Sequence, residues 1–174
     1  MRKEFAGYLH DAMAKDSRIV LLTGDLGYGL WDKIKIDYPD RFYNVGSSEQ
    51  LMMGMATGMA MENKIPVVYS ITPFLLYRPF EFIRNYLDHE KWPVKLVGGG
   101  RDKDYGYLGF SHWAEEDKQV MSCFKNIKSY WPDSIESMKE NTQYILSEGT
   151  APSYLSLKLK RYESPQSQSV FYRK

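Results

Sequence analysis

Asn44-Val45-Gly46-Ser47-Ser48-Glu49-Gln50, running on into Met53-Gly54-Met55-Ala56-Thr57-Gly58-Met59-Ala60, carries the most information in this chain. Phe42-Tyr43-Asn44-Val45 reads as a short strand, followed by a loop. Ser47-Ser48-Glu49-Gln50 fits a capping box, with Ser47 as N-cap and Gln50 at the third helical position. The helix it opens runs to about residue 62. Gly54 and Gly58 lie four apart, so one helix face is nearly bare backbone. Each glycine costs up to about 1 kcal/mol of helix stability relative to alanine, which a close helix contact would offset. Met52, Met55 and Met59 recur at helical spacing and read as core or interface filler. Glu49, an acid in the first turn, is favoured by the helix dipole. Capping alone would explain it, but the setting adds a second reading, a carboxylate presented for chemistry.

Outward from this stretch, strand and helix signals alternate. Phe5, Leu9 and Met13 mark a helix over about 3–15, and Ile19-Val20-Leu21-Leu22 an apolar run of strand length. Gly24, Gly27 and Gly29 mark a loop, and a short helix over 31–38 stops before Pro39. A strand over 66–71 precedes a helix over 75–90, broken near Pro79. A strand over 94–97 ends in Gly98-Gly99-Gly100. Then come a helix over 113–124, a strand over 126–130, a helix capped by Asp133 up to Ser147, and a strand over 153–159. This alternation predicts an α/β, three-layer fold with a mostly parallel sheet of about six strands. Residues 1–162 form the domain, and residues 163–174 a polar tail. Ligands of such sheets bind beyond the carboxyl ends of the strands, so loops 24–30, 46–49, 72–78 and 98–112 are the ones that matter.

Composition narrows the function classes. Lys and Arg total 23 against 22 Asp and Glu, so neither a nucleic-acid nor a membrane surface is indicated. No apolar run approaches the roughly 18 residues of a membrane span. The N-terminus lacks a signal-peptide pattern, and Cys123, the lone cysteine, reads as a buried structural thiol; both place the chain in the cytoplasm. No spacing suggests a metal site or a Ser-His-Asp triad. Fourteen tyrosines fit a protein with large interfaces.

Four candidates face the ligand edge. Gly24-Asp25-Leu26-Gly27-Tyr28-Gly29 matches neither G-x-G-x-x-G nor a Walker loop, so a tight connection is its default reading. Glu49 is the second. The aromatic segment Pro73-Phe74-Leu75-Leu76-Tyr77-Arg78-Pro79-Phe80-Glu81-Phe82 could stack on a flat heterocycle or fill the core. His112, at a loop-to-helix junction, is either a cap or a proton donor. His10 and His89 read as surface residues without partners.

Taken together, these residues resemble a known family. Asn44 to Gln50 with Met53 to Ala60 is similar to the N-x-G-x-x-E-Q helix of transketolases, deoxyxylulose phosphate synthases and the beta subunits of 2-oxoacid dehydrogenases. Thr23-Gly24-Asp25-Leu26, Pro73-Phe74-Leu75, Phe80 to Asn85, Gly109-Phe110-Ser111-His112 (for G-P-T-H) and Ala151 to Leu155 follow in the family's order over about residues 1–160. The resemblance implies thiamine diphosphate chemistry and two-carbon transfer, from a ketose or 2-oxoacid to an aldehyde. Glu49 would hydrogen-bond the aminopyrimidine and so drive proton removal from the thiazolium. Phe74 would stack on the pyrimidine, with Tyr77 and Phe80 as neighbours. Asp25 and Leu26 would lie beside the thiazolium. His112 would meet the substrate oxygen, and Arg101 a phosphate or carboxylate. No residue here is a metal ligand.

The family's G-D-G motif, which holds Mg2+ and the diphosphate, does not occur, nor does its C-terminal domain. The resemblance therefore implies a split enzyme: a separate polypeptide supplies Mg2+ and diphosphate binding, in an α2β2 assembly, with a homodimer as one state open to the isolated chain. Leu108 stands where transketolases carry an acid that reads donor hydroxyls. Gly100 stands near their phosphate-binding histidine. A 2-oxoacid dehydrogenase or decarboxylase-type subunit is thus an alternative, as is a non-catalytic, partner-binding paralogue. A nucleotide-binding α/β domain is a more distant one.

Overall fold

The computed structural model describes residues 1–147 and 150–159. The expected tail and the boundary at 162 lie outside them. Helix α1 (Arg2–Lys15) leads into β1 (Ile19–Thr23), which is buried at every position. Its side chains alternate between two cores. Ile19 and Leu21 join Phe5, Leu9 and Met13 on one face, and Val20 and Leu22 join Met52, Met53 and Ala56 on the other. A strand covered on both faces is what a continuous apolar run predicts. The sheet continues with β2 (Phe42–Asn44), β3 (Ile65–Ile71), β4 (Lys95–Gly99), β5 (Lys128–Tyr130) and β6 (Ser153–Leu157). Their order is β2-β1-β3-β4-β6-β5, and every neighbouring pair is parallel. Six strands were expected, and the sheet is wholly rather than mostly parallel.

Helices α1, α2 (Asp32–Asp37) and α7 (Ile135–Ser147) cover one face. On the other lie α3 (Glu49–Met61), α4 (Thr72–Tyr77), α5 (Phe80–Phe82) and α6 (Asp117–Met121). The break at Pro79 is present: α4 stops at Tyr77, and α5 runs on as a π-helix through Ile83–His89. The chain steps from β1 out to β2, then returns past β1 to β3. The strand order therefore reverses between β1 and β3, where open α/β sheets form their ligand crevice.

Several local expectations are corrected. The capping box does not form: Ser48 is the N-cap of α3 and makes no side-chain cap bond. A turn explains why. Gly46 sits at φ 70°, and the Ser48 amide donates to the Gly46 carbonyl at 2.8 Å, so the helix starts one residue late. Gly58 meets nothing, and of the two helix glycines only Gly54 has a close neighbour, the Phe82 ring 3.4 Å from where a Cβ would stand. Met52 is core, whereas Met55 and Met59 are half-buried at its fringe. The cap of α7 is Ser134, whose Oγ accepts from the Ser137 amide at 3.1 Å. Cys123 is exposed. His10 has a partner, Asp37, at 2.8 Å. The expected 113–124 helix is reduced to α6, because a 3-10 turn at Phe110–His112 and a bridge between Asp102 and Ala114 occupy its start. No described helix is long and apolar enough to cross a membrane.

Candidate active site

The loop after β1, the N-terminus of α3 and the β3–α4 junction converge at the switch point. Glu49 is the first residue of α3 and turns inward, with 2% exposure. A carboxylate this dry needs donors. The Ser70 hydroxyl at the end of β3 donates to its Oε1 over a long 3.4 Å, and Arg78 Nη1 donates to its Oε2 at 2.6 Å. Gly24 makes room for it. A Cβ there would lie 3.2 Å from the Gly46 carbonyl and 3.6 Å from Glu49 Oε1. An open cleft of about 500 Å³ runs past Ser47, Ser48, Glu49, Gln50, Leu51 and Arg78. A slightly larger cavity, about 540 Å³, lies between α1 and α7 beside Ile19, at the opposite edge of the sheet.

Aromatic rings extend the site from there. Phe74, half-buried in α4, has the Arg78 guanidinium on its ring, 3.9 Å from the centroid. The Phe74 and His112 rings pack edge to face, their centroids 4.9 Å apart and their planes at 69°. His112 in turn lies 6.3 Å from Tyr105, whose hydroxyl accepts from Arg2 at 3.3 Å. Ser111 Oγ engages His112 Nδ1 at 3.0 Å, so Nε2 is the nitrogen left for another oxygen. Burial pushes the Tyr105 phenol up to about 12.

The three glycines ending β4 are explained by their neighbours. A Cβ on Gly98 would stand 2.5 Å from Thr72 Oγ1, and one on Gly99 2.4 Å from the Tyr69 hydroxyl. Gly100 (φ 90°) would strike Tyr105 at 2.4 Å. Thr72 Oγ1 donates to the Gly100 carbonyl at 2.6 Å, which fixes the β4 loop to the start of α4.

The family described as "Transketolase, pyrimidine binding domain" matches residues 1–164. The chain belongs to the transketolase pyrimidine-binding domain family. One subunit of the apulose-4-phosphate transketolase of Actinobacillus succinogenes is 32% identical over 121 residues, 70% of this chain and 39% of that protein. An uncharacterized 33.6 kDa protein in the fasciation locus of Rhodococcoides fascians is 35% identical over 122 residues, 70% of this chain and 39% of its own. Among solved structures, "Split gene transketolase, inactive beta4 tetramer" superposes with a TM-score of 0.79 at 27% identity, covering 90% of this chain and 50% of that one. The chain thus spans half or less of the length of these relatives. Membership of the family implies use of thiamine diphosphate.

Of the residues singled out by sequence, Glu49, Phe74 and His112 are brought together. Asp25 lies in the adjoining loop at φ 55°, its amide donating to Asn44 Oδ1 at 2.9 Å. Its carboxylate is held low, first by the Tyr28 hydroxyl and then by Asn44. Leu26 is half-buried against the core, its carbonyl accepting from Thr23 Oγ1 at 3.1 Å. Tyr77 points elsewhere: its hydroxyl meets Glu116 at 3.4 Å, and burial, then Glu116, push it up to about 12. Phe80 packs on the core, its ring 5.2 Å from that of Phe124. Arg101 is the clearest correction. It is buried, with its guanidinium donating to Ser156 Oγ at 3.2 Å, Ser156 O at 2.7 Å, Pro132 O at 3.0 Å and Asp133 Oδ1 at 3.1 Å. It joins β4 to β6 and the β5–α7 loop instead of facing a substrate. The residue that sequence reasoning missed is Arg78. Its signal was the four-residue spacing from Phe74, which puts both on one helix face.

Proposed function

We propose that this chain is the cofactor-activating subunit of a two-subunit, transketolase-like transferase. The enzyme would move a two-carbon ketol or acyl unit from a ketose or 2-oxoacid donor to an aldehyde. The observation that carries this is Glu49, a carboxylate at 2% exposure, placed where the strand order reverses and beside a bare Gly24. A buried carboxylate with one long hydroxyl bond and one displaceable cation fits the donor groups of an aminopyrimidine. The Phe74 ring fits its flat face. Thiamine diphosphate, when bound, supplies a nucleophilic carbon for the donor carbonyl and an electron sink for the fragment left after cleavage.

This chain's own groups have defined tasks in that reading. Glu49 holds and shares a proton with a ring nitrogen of the pyrimidine. Ser70 orients the Glu49 carboxyl from below. Phe74 covers one ring face, while the next two residues, Leu75 and Leu76, anchor α4 in the core. His112 offers Nε2 to a substrate oxygen, as hydrogen-bond donor or proton carrier. Asp25 and Leu26 shape the loop on the thiazolium side. Mg2+ and the diphosphate would be held by a separate polypeptide, in an α2β2 assembly. Two relatives support the two-chain reading: one is a single subunit of a transketolase, the other a split-gene transketolase. An acyl donor, as in 2-oxoacid dehydrogenase subunits, gains support from the apolar rim beside His112. There Tyr107 and Phe110 are 82% and 74% exposed, and Leu108 is 44% exposed.

Purifying the tagged chain from its own cells and recording its native mass tests the reading. A near-stoichiometric partner carrying thiamine diphosphate is expected. A chain that stays without partner and cofactor, even with thiamine diphosphate and Mg2+ supplied, would refute it in favour of a regulatory paralogue.

A further inference from the structure

Arg78 holds both surfaces that a pyrimidine needs. Its guanidinium is a planar cation with donors along its edges. It donates to Glu49 Oε2 at 2.6 Å, and it lies on the Phe74 ring at 3.9 Å from the centroid. The aminopyrimidine is likewise planar, with donor groups on its edge and a face to stack. The two groups therefore compete for the same carboxylate and the same ring. Arg78 is attached where it can leave. Its side chain is 46% exposed while that of Glu49 is 2% exposed, and it lines the open cleft beside Ser48 and Gln50. It follows Tyr77, the last residue of α4, and precedes Pro79, where the helix is already broken. A rotation about its own side-chain torsions clears the cleft without moving α3 or β3.

We infer that Arg78 is a built-in, displaceable occupant of the pyrimidine site, which keeps Glu49 paired and Phe74 covered until the cofactor takes its place. This rests on the function proposed above only for the identity of the incoming ligand. The receptor itself, a buried carboxylate beside an aromatic face, is defined by geometry and takes planar cations as a class. Removing Arg78 should therefore raise the affinity of the cleft. A ligand that must first displace an internal competitor binds more weakly by the fraction of time the site is open. For a half-exposed ion pair stacked on a ring, that fraction is on the order of one tenth.

The test uses the full chain, 15N-labelled, and follows the amides of Ser48, Glu49 and Gln50 while guanidinium chloride or thiamine is added at millimolar levels. The Arg78→Ala chain should saturate with either probe at about tenfold lower concentration than the unmodified chain. Adding Glu49→Gln to it should abolish both responses. In the unmodified chain, the side-chain Nε signal of Arg78 should shift to that of a free arginine as thiamine saturates, which needs no variant to fold. Identical titrations of the Arg78→Ala and unmodified chains, or weaker binding without Arg78, would overturn the inference. Guanidinium binding to Arg78→Ala without thiamine binding would leave the occupant role standing and remove the thiamine reading instead.

Discussion

Arg101 decides between two uses of a cation at the end of β4, and its replacement separates them. In Arg101→Met the aliphatic volume is largely kept and the hydrogen bonds are lost. Nη2 donates to two carbonyls, Ser156 O at 2.7 Å and Pro132 O at 3.0 Å, and Nε to the buried Ser156 hydroxyl. Leaving a buried acceptor without a donor costs about 1–3 kcal/mol. The arm to Asp133 adds little: that carboxylate is 78% exposed and also holds Lys158. With the Ser156 hydroxyl free to rotate, the sum is about 3–5 kcal/mol. For a chain of this size that lowers the melting temperature by roughly 10 °C. Urea and thermal unfolding followed by circular dichroism measure the loss. Kinetics of the assembled enzyme, taken well below the variant's melting point, measure the alternative. A structural arginine predicts lower stability with the donor KM unchanged. Unaltered melting with a raised KM would refute the structural reading and return Arg101 to the substrate.

Other perturbations probe the site and its frame. Glu49→Gln keeps the shape and removes the charge that pairs with Arg78, so turnover of the assembled enzyme should fall by about 100-fold or more, with the fold intact by circular dichroism. Activity within about tenfold of the parent would sink the role given to Glu49. Gly98→Ala places a Cβ 2.5 Å from Thr72 Oγ1 and 3.0 Å from the Tyr154 hydroxyl, and should cost about 2–4 kcal/mol in urea unfolding. An Ala variant as stable as the parent would show that the sheet yields there. The phenols of Tyr105 (up to about 12) and of Tyr69 and Tyr154 (raised) are shifted chiefly by burial. A raised phenol favours the folded state fully below its unfolded value near pH 10, and that contribution is lost as pH climbs towards 12. Absorbance at about 295 nm should therefore show these tyrosines ionising only with unfolding above about pH 10; normal titration in the folded chain would contradict their burial.

What the sequence made legible was local or periodic. β1, β3 and β4 are largely apolar runs buried at every position, so length and apolar content were enough to place them, with glycines marking the ends of β1 and β4. The parallel sheet followed from alternation, and its carboxyl edge pointed to the loops that hold Glu49, Phe74 and His112. The failures share a physical cause: each turns on a partner far along the chain, or on one dihedral angle. Arg101 reads as a surface cation until Pro132 and Ser156 are brought beside it, from 31 and 55 residues away. His10 reads as unpaired until Asp37 arrives. The Ser47 cap is defeated by the turn at Gly46, whose carbonyl takes the Ser48 amide and so delays the helix by one residue. Tyr77 and Phe80 likewise meet partners that only the fold supplies, Glu116 for the one and Phe124 for the other.

Arg78 shows why the site itself was only half legible. Phe74 and Arg78 share a helix face by spacing alone, and Glu49 opens a helix by spacing alone. That the three form one contact depends on the switch point, where β1, β2 and β3 deliver Gly24, Glu49 and Ser70 to the same place. A topology of this kind concentrates residues from separate loops at one edge, so the chemistry is set by which side chains meet and not by any one motif. The same concentration explains the bare Gly24 and the run Gly98-Gly99-Gly100 at the end of β4. Where several loops converge on a buried carboxylate and a row of rings, the backbone between them has no room for a Cβ.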